Sequence, residues 1–94
     1  MSGMQRPTAD TVRARLEAAF RPERLEVFDE SHEHVGHAGW HEGGGSHFRV
    51  VMRAASLDGL GRVERSRAVH RALQPEFDAG LHALALDVAG TSQA

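Results

Sequence analysis

An α/β (α+β) domain, with a three-stranded mixed sheet and helices on one face, is the fold class this 94-residue sequence predicts. Three observations predict it. Apolar residues near the N-terminus recur with the period of a helix. Two later segments alternate with the period of a strand, and a third apolar run near the C-terminus follows a helical stretch. A strand, a crossover helix and a second strand in one sheet make a parallel pair, so the element order is α-β-β-α-(α)-β.

The first helix starts at Thr8, whose hydroxyl can accept from an otherwise unpaired backbone amide, with Asp10 at the positive end of the helix dipole. Val12, Leu16, Ala19 and Phe20 share one face. Pro22 has no amide to donate and biases Arg21 away from helical angles, so the helix ends near Phe20. Leu25–Glu30 reads as a short strand. His47–Ala54 reads as a longer one, in which Phe48, Val50 and Met52 alternate with Arg49, Val51 and Arg53. The simplest arrangement pairs these two strands antiparallel.

Leu57–Gly61 reads as a turn and Arg62–Gln74 as a helix with Ser66, Val69, Ala72 and Leu73 inward; Pro75 breaks it, and a further short turn closes at Gly80. Leu81–Val88 is the last strand, with His82, Leu84, Leu86 and Val88 on one face. Both faces are apolar, which predicts a strand buried on both sides or central in the sheet. One domain over residues 8–89 is expected, with flexible tails at 1–7 and 90–94. Within it, 31–46 is expected to be a mobile loop: it holds five Gly and a Gly43-Gly44-Gly45 run, and ordering such a run costs much conformational entropy.

Composition narrows the function. A hydrophobic fraction of 40% and a charged fraction of 26% are those of a globular domain. The chain has no Cys, so it holds no disulfide, no thiol nucleophile and no thiolate ligand of its own. No apolar run approaches the roughly 20 residues that span a bilayer, and no secretory signal is visible, so no membrane partner and a cytoplasmic location are expected. The net charge of −2 speaks against a general polyanion binder, although six Arg face only two carboxylates between Arg49 and Arg71.

Two constellations carry chemistry. His32, His34, His37, His41 and His47 crowd one stretch, and His82 opens the last apolar strand. Imidazole suits iron, zinc, copper and nickel, but this spacing matches no zinc-finger or metalloprotease template. The loop histidines read equally as solvated side chains or as a divalent-metal buffer, and His82 as a core residue bonded to a backbone carbonyl or as a ligand. The second constellation is Arg62, Arg65, Arg67 and Arg71 on the second helix, whose guanidinium forks suit phosphate. With so few aromatics there is no stacking platform for single strands. No nucleophile, base and orienting group fall on rigid elements, so the chain is not expected to be an enzyme.

Asp29-Glu30-Ser31, His34, Ser46-His47-Phe48-Arg49-Val50-Val51, Asp58-Gly59, Arg65-Ser66-Arg67 and Leu81-His82-Ala83-Leu84-Ala85-Leu86 occur in that order from about Ala9 to Val88. In these blocks the chain resembles the BolA family. The resemblance implies a class II KH-like fold and a non-enzymatic adaptor. Such an adaptor pairs with a monothiol glutaredoxin as a heterodimer holding a bridging [2Fe–2S] cluster, in iron–sulfur trafficking or iron- and redox-linked regulation. The glutaredoxin and its glutathione supply thiolates and this chain supplies imidazoles, with no cluster expected on the isolated chain, a monomer or weak homodimer. The ligands implied are His82 and His34, with His37 as a rival for the loop position and His32 a more distant one. The family also implies an alternative, a KH-like transcriptional regulator that binds DNA through Arg62, Arg65, Arg67 and Arg71. The chain departs from the family pattern at Ser66, where His is usual between the two Arg, at Leu57, where Phe is usual, and in the extra His and Gly of the loop.

Overall fold

The computed structural model of the chain describes residues 7–31 and 47–91. The expected mobile loop, apart from Ser31, therefore lies outside the described residues, as do His32, His34, His37 and His41.

Helix α1 spans Ala9–Phe20. Its N-terminus is a reciprocal cap: the Thr8 hydroxyl accepts from the Thr11 amide at 3.1 Å, and the Thr11 hydroxyl accepts from the Thr8 amide at 2.8 Å. Two of the amides that a helix start leaves unpaired are thereby satisfied. The helix stops where Arg21 enters the left-handed region at φ 49° and sends its amide to the Glu17 carbonyl at 3.0 Å. Pro22 then carries the chain away. Val12 and Leu16 are fully buried; Ala19, expected inward, is exposed.

Strand β1 (Arg24–Asp29) runs antiparallel to β2 (His47–Arg53), and β2 runs parallel to β3 (Ala83–Ala89), giving a mixed sheet in the order β1-β2-β3. Between β2 and β3 come a short 3₁₀ turn at Ala55–Leu57, helix α2 (Arg62–Ala72) and helix α3 (Gln74–Asp78). Gly59, at φ 84°, makes the turn into α2 in a conformation that only glycine takes without strain. Pro75 does not simply break a helix. It sits in the first turn of α3, where its missing amide has no partner to lose and its fixed φ favours the helix.

Register explains the core. Leu25, Met52 and Val88 lie in one row across the sheet, and Val27, Val50 and Leu86 in the next; Phe48 stands beside Leu84 in the third. These side chains face the helices, where Val12, Leu16, Val69, Leu73 and Leu57 meet Phe48, Val50 and Met52 in one buried cluster. Each such side chain, fully buried, contributes about 1.5–3 kcal/mol. The opposite face carries Phe28, Arg49 and Ala85 in one row and Glu26, Val51 and Asp87 in the next. Arg24 and Arg53 are directly paired across β1 and β2, a like-charge contact offset by ion pairs to Glu26 at 3.1 Å and Asp87 at 3.0 Å.

Strand β3 differs from the sequence expectation. It is an edge strand, β2 is central, and Ala85 and Asp87 are exposed. Alanines on the outward face read as a second apolar face in the sequence, but their small area leaves little to bury. His82 lies before the strand rather than within it. The folded unit also runs past the expected boundaries: Pro7 and Gly90 are buried, and the Thr91 amide donates to Asp58 Oδ1 at 2.7 Å. Ser31, expected to open the loop, is fully buried.

Candidate metal centre

The parallel pairing of β2 and β3 decides what His82 can meet. His47 is the first residue of β2 and stands opposite Ala83, the first residue of β3. His82, one residue ahead, therefore lies beside His47. The two imidazole centroids are 5.4 Å apart, with their planes tilted by 59°. His47 is 6% exposed, whereas His82 is exposed to solvent.

The main chain at His47 is pinned from both sides. Its amide donates to Ser31 Oγ at 3.2 Å, and its carbonyl accepts from the Glu30 amide at 2.8 Å. Ser31 is held in turn, since its own amide donates to Asp29 Oδ1 at 2.9 Å. The Asp29-Glu30-Ser31 block thus has a structural role: it closes the end of β1 and fixes the start of β2. Beside the pair, a cleft of about 180 Å³ is lined by Glu30, His47, Phe48, Ala83, Leu84 and Ala85. Arg49 pairs with Glu30, one of the lining residues, at 2.6 Å and is placed 5.5 Å above the Phe28 ring.

Two imidazoles at this separation are a candidate part of a metal ligand set. Two imidazoles on one tetrahedral metal, each bonded at 2.0–2.1 Å, have ring centroids about 5 Å apart. Neutral imidazole is a ligand for borderline metals such as iron and zinc. Among the described residues no group of three or more His, Asp or Glu is placed to hold a metal ion.

Of the sequence-predicted ligands, His82 is the one that falls among the described residues; His34, His37 and His32 do not. Spacing along the sequence groups His47 with the loop histidines and hides its meeting with His82. Yet the alternation Phe48, Val50, Met52 already made it the first strand residue, and a parallel crossover brings the two strand starts together. His70, also described, takes part in helix packing: its ring stacks on Phe77 at 5.4 Å, and its Nδ1 lies 2.9 Å from the Ser66 carbonyl oxygen.

The four arginines of the second constellation differ in their surroundings. The Arg65 guanidinium donates to the Val88 carbonyl at 2.9 Å and to the Leu60 carbonyl at 2.8 Å, tying the start of α2 to the end of β3. Arg62, Arg67 and Arg71 are exposed. A cleft of about 300 Å³ between α2 and β3 is lined by Arg62, Arg65, Ser66 and Leu86–Ala89. Among the described residues no helix is long and apolar enough to cross a membrane.

Comparison with known proteins settles the family. A family model described as BolA-like protein matches residues 16–93. The chain belongs to the BolA family. It is 47% identical over 85 residues to an uncharacterised Sinorhizobium protein from the cobS 5′ region, covering 89% of this chain and 91% of that one. It is 38% identical over 92 residues to human BolA-like protein 1, covering 98% of this chain and 64% of the human protein. The chain thus spans just under two thirds of that relative. Among solved structures, the BolA domain of SufE1 from Arabidopsis thaliana superposes with a TM-score of 0.82 at 31% identity, covering 92% of this chain and 94% of that one. BolA1 from Arabidopsis thaliana gives 0.80 at 32% identity, covering 96% and 98%. The mixed α+β architecture read from the sequence is that of these BolA structures.

Proposed function

We propose that this BolA-family chain is a non-enzymatic adaptor that pairs with a monothiol glutaredoxin to hold a bridging [2Fe–2S] cluster as shared cargo. The observation that carries the reading is His82, a solvent-facing imidazole whose position is fixed at the start of an edge strand beside a second imidazole, in a chain without Cys. A partner's iron can reach it, and the protein contributes no competing thiolate.

The division of ligands follows from the donor chemistry. The glutaredoxin and its glutathione bring the sulfurs, and this chain brings imidazole nitrogen. Replacing two anionic thiolates by neutral imidazoles makes a cluster less negative and raises its potential, as in Rieske-type centres. A neutral donor also departs more readily than an anionic one, which suits cargo that is handed on. Only neutral imidazole binds a metal, so the complex weakens in acid.

The test is to mix the purified chain with glutathione-loaded monothiol glutaredoxin carrying its cluster, and to record visible absorption, circular dichroism and complex mass. A heterodimer with an altered cluster spectrum, lost in His82→Ala, is expected. An unchanged spectrum with no heterodimer overturns the reading.

A further inference from the structure

We propose that the open edge of β3, together with the flank of α2, is a docking groove for an extended acidic peptide segment of a partner protein, which joins the three-stranded sheet as an added strand. The direction of the backbone groups carries the first part of the argument. The Ala54 amide, just past β2, donates to the Ala89 carbonyl at 3.1 Å, whereas the Val88 carbonyl, one residue earlier, turns away from β2 to the Arg65 guanidinium. Backbone groups alternate in direction along a strand, so the amides and carbonyls of Leu84 and Leu86 also point to the open edge, where no described residue bonds to them. Natural sheets blunt such an edge with charge, proline, a bulge or a short strand. The other edge follows that rule: Arg24, Glu26 and Asp29 fall among the six residues of β1. β3 does not. Its seven residues include no Pro, keep unbroken register with β2, and carry one charge, Asp87, which is paired with Arg53 at 3.0 Å.

The chemistry of the groove selects the occupant. Arg62, Arg65 and Ser66 of α2 line the 300 Å³ cleft opposite Leu86–Ala89. Arg62 has no ion pair among the described residues, and Arg65 gives its Nε and Nη1 to carbonyls and keeps Nη2 for another acceptor. The one acid in the lining is Asp87, already neutralised by Arg53. Positive charge thus stands beside a row of open main-chain donors and acceptors. An added strand pairs with that row and turns alternate side chains towards α2. One of them, apolar, packs against Leu84 and Leu86; the next, a carboxylate, faces Arg62. Nucleic acid fits less well, since it brings no regular row of amides and carbonyls and the lining holds no aromatic ring for a base to stack on. A second copy of the chain also fits less well: the helix-side residues of its β3 are Leu84, Leu86 and Val88, with no carboxylate to answer Arg62. The groove includes neither His47 nor His82, so the proposal does not rest on the adaptor reading.

The test uses the full-length chain, isotope-labelled, titrated with a short blocked peptide of the pattern Thr-Val-Thr-Glu-Thr and followed by its amide resonances. Shifts centred on Leu84, Leu86 and Val88, with slowed hydrogen exchange at the Leu84 and Leu86 amides, are expected. Glutamine in place of the peptide's glutamate, or Arg62→Ala in the chain, should each weaken binding about threefold to tenfold, the loss of one hydrogen-bonded contact. Arg62 is exposed and bonded to no described side chain, so this variant keeps its fold. Arg67→Ala, outside the groove lining, should leave affinity unchanged. A peptide methylated on its backbone nitrogens should not bind; equal binding overturns the proposal, because the contact is then no strand pairing. Wild-type affinity in Arg62→Ala overturns it too, as does a β3 that stays unmoved at millimolar peptide. A short DNA oligonucleotide that moves the Leu84 and Leu86 amides where the peptide does not gives the groove to nucleic acid. β3 shifts that grow with protein concentration alone give it to a second copy. Either result overturns the peptide assignment.

Discussion

Arg65 and Val88 are joined by a hydrogen bond of 2.9 Å from guanidinium to backbone carbonyl, and the same guanidinium holds the Leu60 carbonyl at 2.8 Å. A side chain that reads as a phosphate contact in the sequence is a clamp between the start of α2 and the end of β3. Charge-assisted bonds of this kind contribute about 1.5–3 kcal/mol. Arg65→Ala is therefore expected to lower stability to urea by about that amount, while Arg67→Ala on the exposed side of α2 changes it by less than about 0.5 kcal/mol. Equal effects of the two substitutions would show that the clamp carries no weight. The same pair tests DNA binding. If the alternative role is real, Arg67→Ala should reduce the salt dependence of binding by about one phosphate contact without loss of fold.

A second clamp secures the end of β3. Gly90 is buried against Asp58, whose Oδ1 accepts the Thr91 amide at 2.7 Å. A Cβ at position 90 would stand 2.9 Å from the Asp58 Cα and overlap the carboxylate. Gly90→Ala should cost about 1–3 kcal/mol, the range for forcing extra volume into a packed site. Thermal melts of the variant check it; a midpoint equal to wild type would mean that the turn simply moves aside.

These two clamps mark what the sequence could and could not tell. Short-range features were readable because their causes are local: the Thr8 cap, the stop near Phe20, the alternation of Phe48, Val50 and Met52, and the parallel crossover. Long-range ones were not. The roles of Arg65 and Asp58 depend on carbonyls and amides at the far end of the chain. The meeting of His47 with His82 depends on the β2–β3 register. Local rules also misled where one residue type serves two ends. Pro75 reads as a breaker yet begins α3, and the alanines of β3 read as a buried face yet lie on an open one.

Arg21 offers a test in the stabilising direction. It is a non-glycine residue at φ 49°, directly before Pro22. The left-handed region costs an L-residue roughly 1–2 kcal/mol, most of which glycine avoids, though glycine has more freedom to lose on folding. Arg21→Gly is expected to raise stability by about 0.5–1 kcal/mol. A loss of stability would point to a contact of the Arg21 side chain that outweighs the backbone.

Arg15 and Glu76 tie α1 to α3 through three hydrogen bonds of 3.0–3.2 Å, with the carboxylate buried and the guanidinium about half exposed. Hydrogen bonding to Glu76, and then its charge, raise the pKa of Arg15 above the ordinary value. The sign places this contribution in full below the guanidinium's normal range, and it is lost only in strong alkali. Stability between about pH 6 and 9 should therefore show no step from Arg15. Removing Arg15 strands a buried carboxylate, whereas removing the charge of Glu76 leaves a guanidinium that water can solvate. Arg15→Ala should destabilise more than Glu76→Gln, and the double variant should recover part of the difference. Strict additivity would refute the coupling.

The exposure difference between the two imidazoles predicts that stability and metal binding separate. His82 faces solvent before β3, so His82→Ala should leave the unfolding free energy within about 0.5 kcal/mol of wild type. His47 is covered and begins the central strand, so His47→Ala should cost about 1–3 kcal/mol. Chemical unfolding of both variants, without metal, measures this directly. An exposed residue kept for function can be removed without the fold responding; one kept for packing cannot. If His82→Ala proves as costly as His47→Ala, the ring of His82 is part of the folded core, and its assignment as the surface ligand fails before any metal is added.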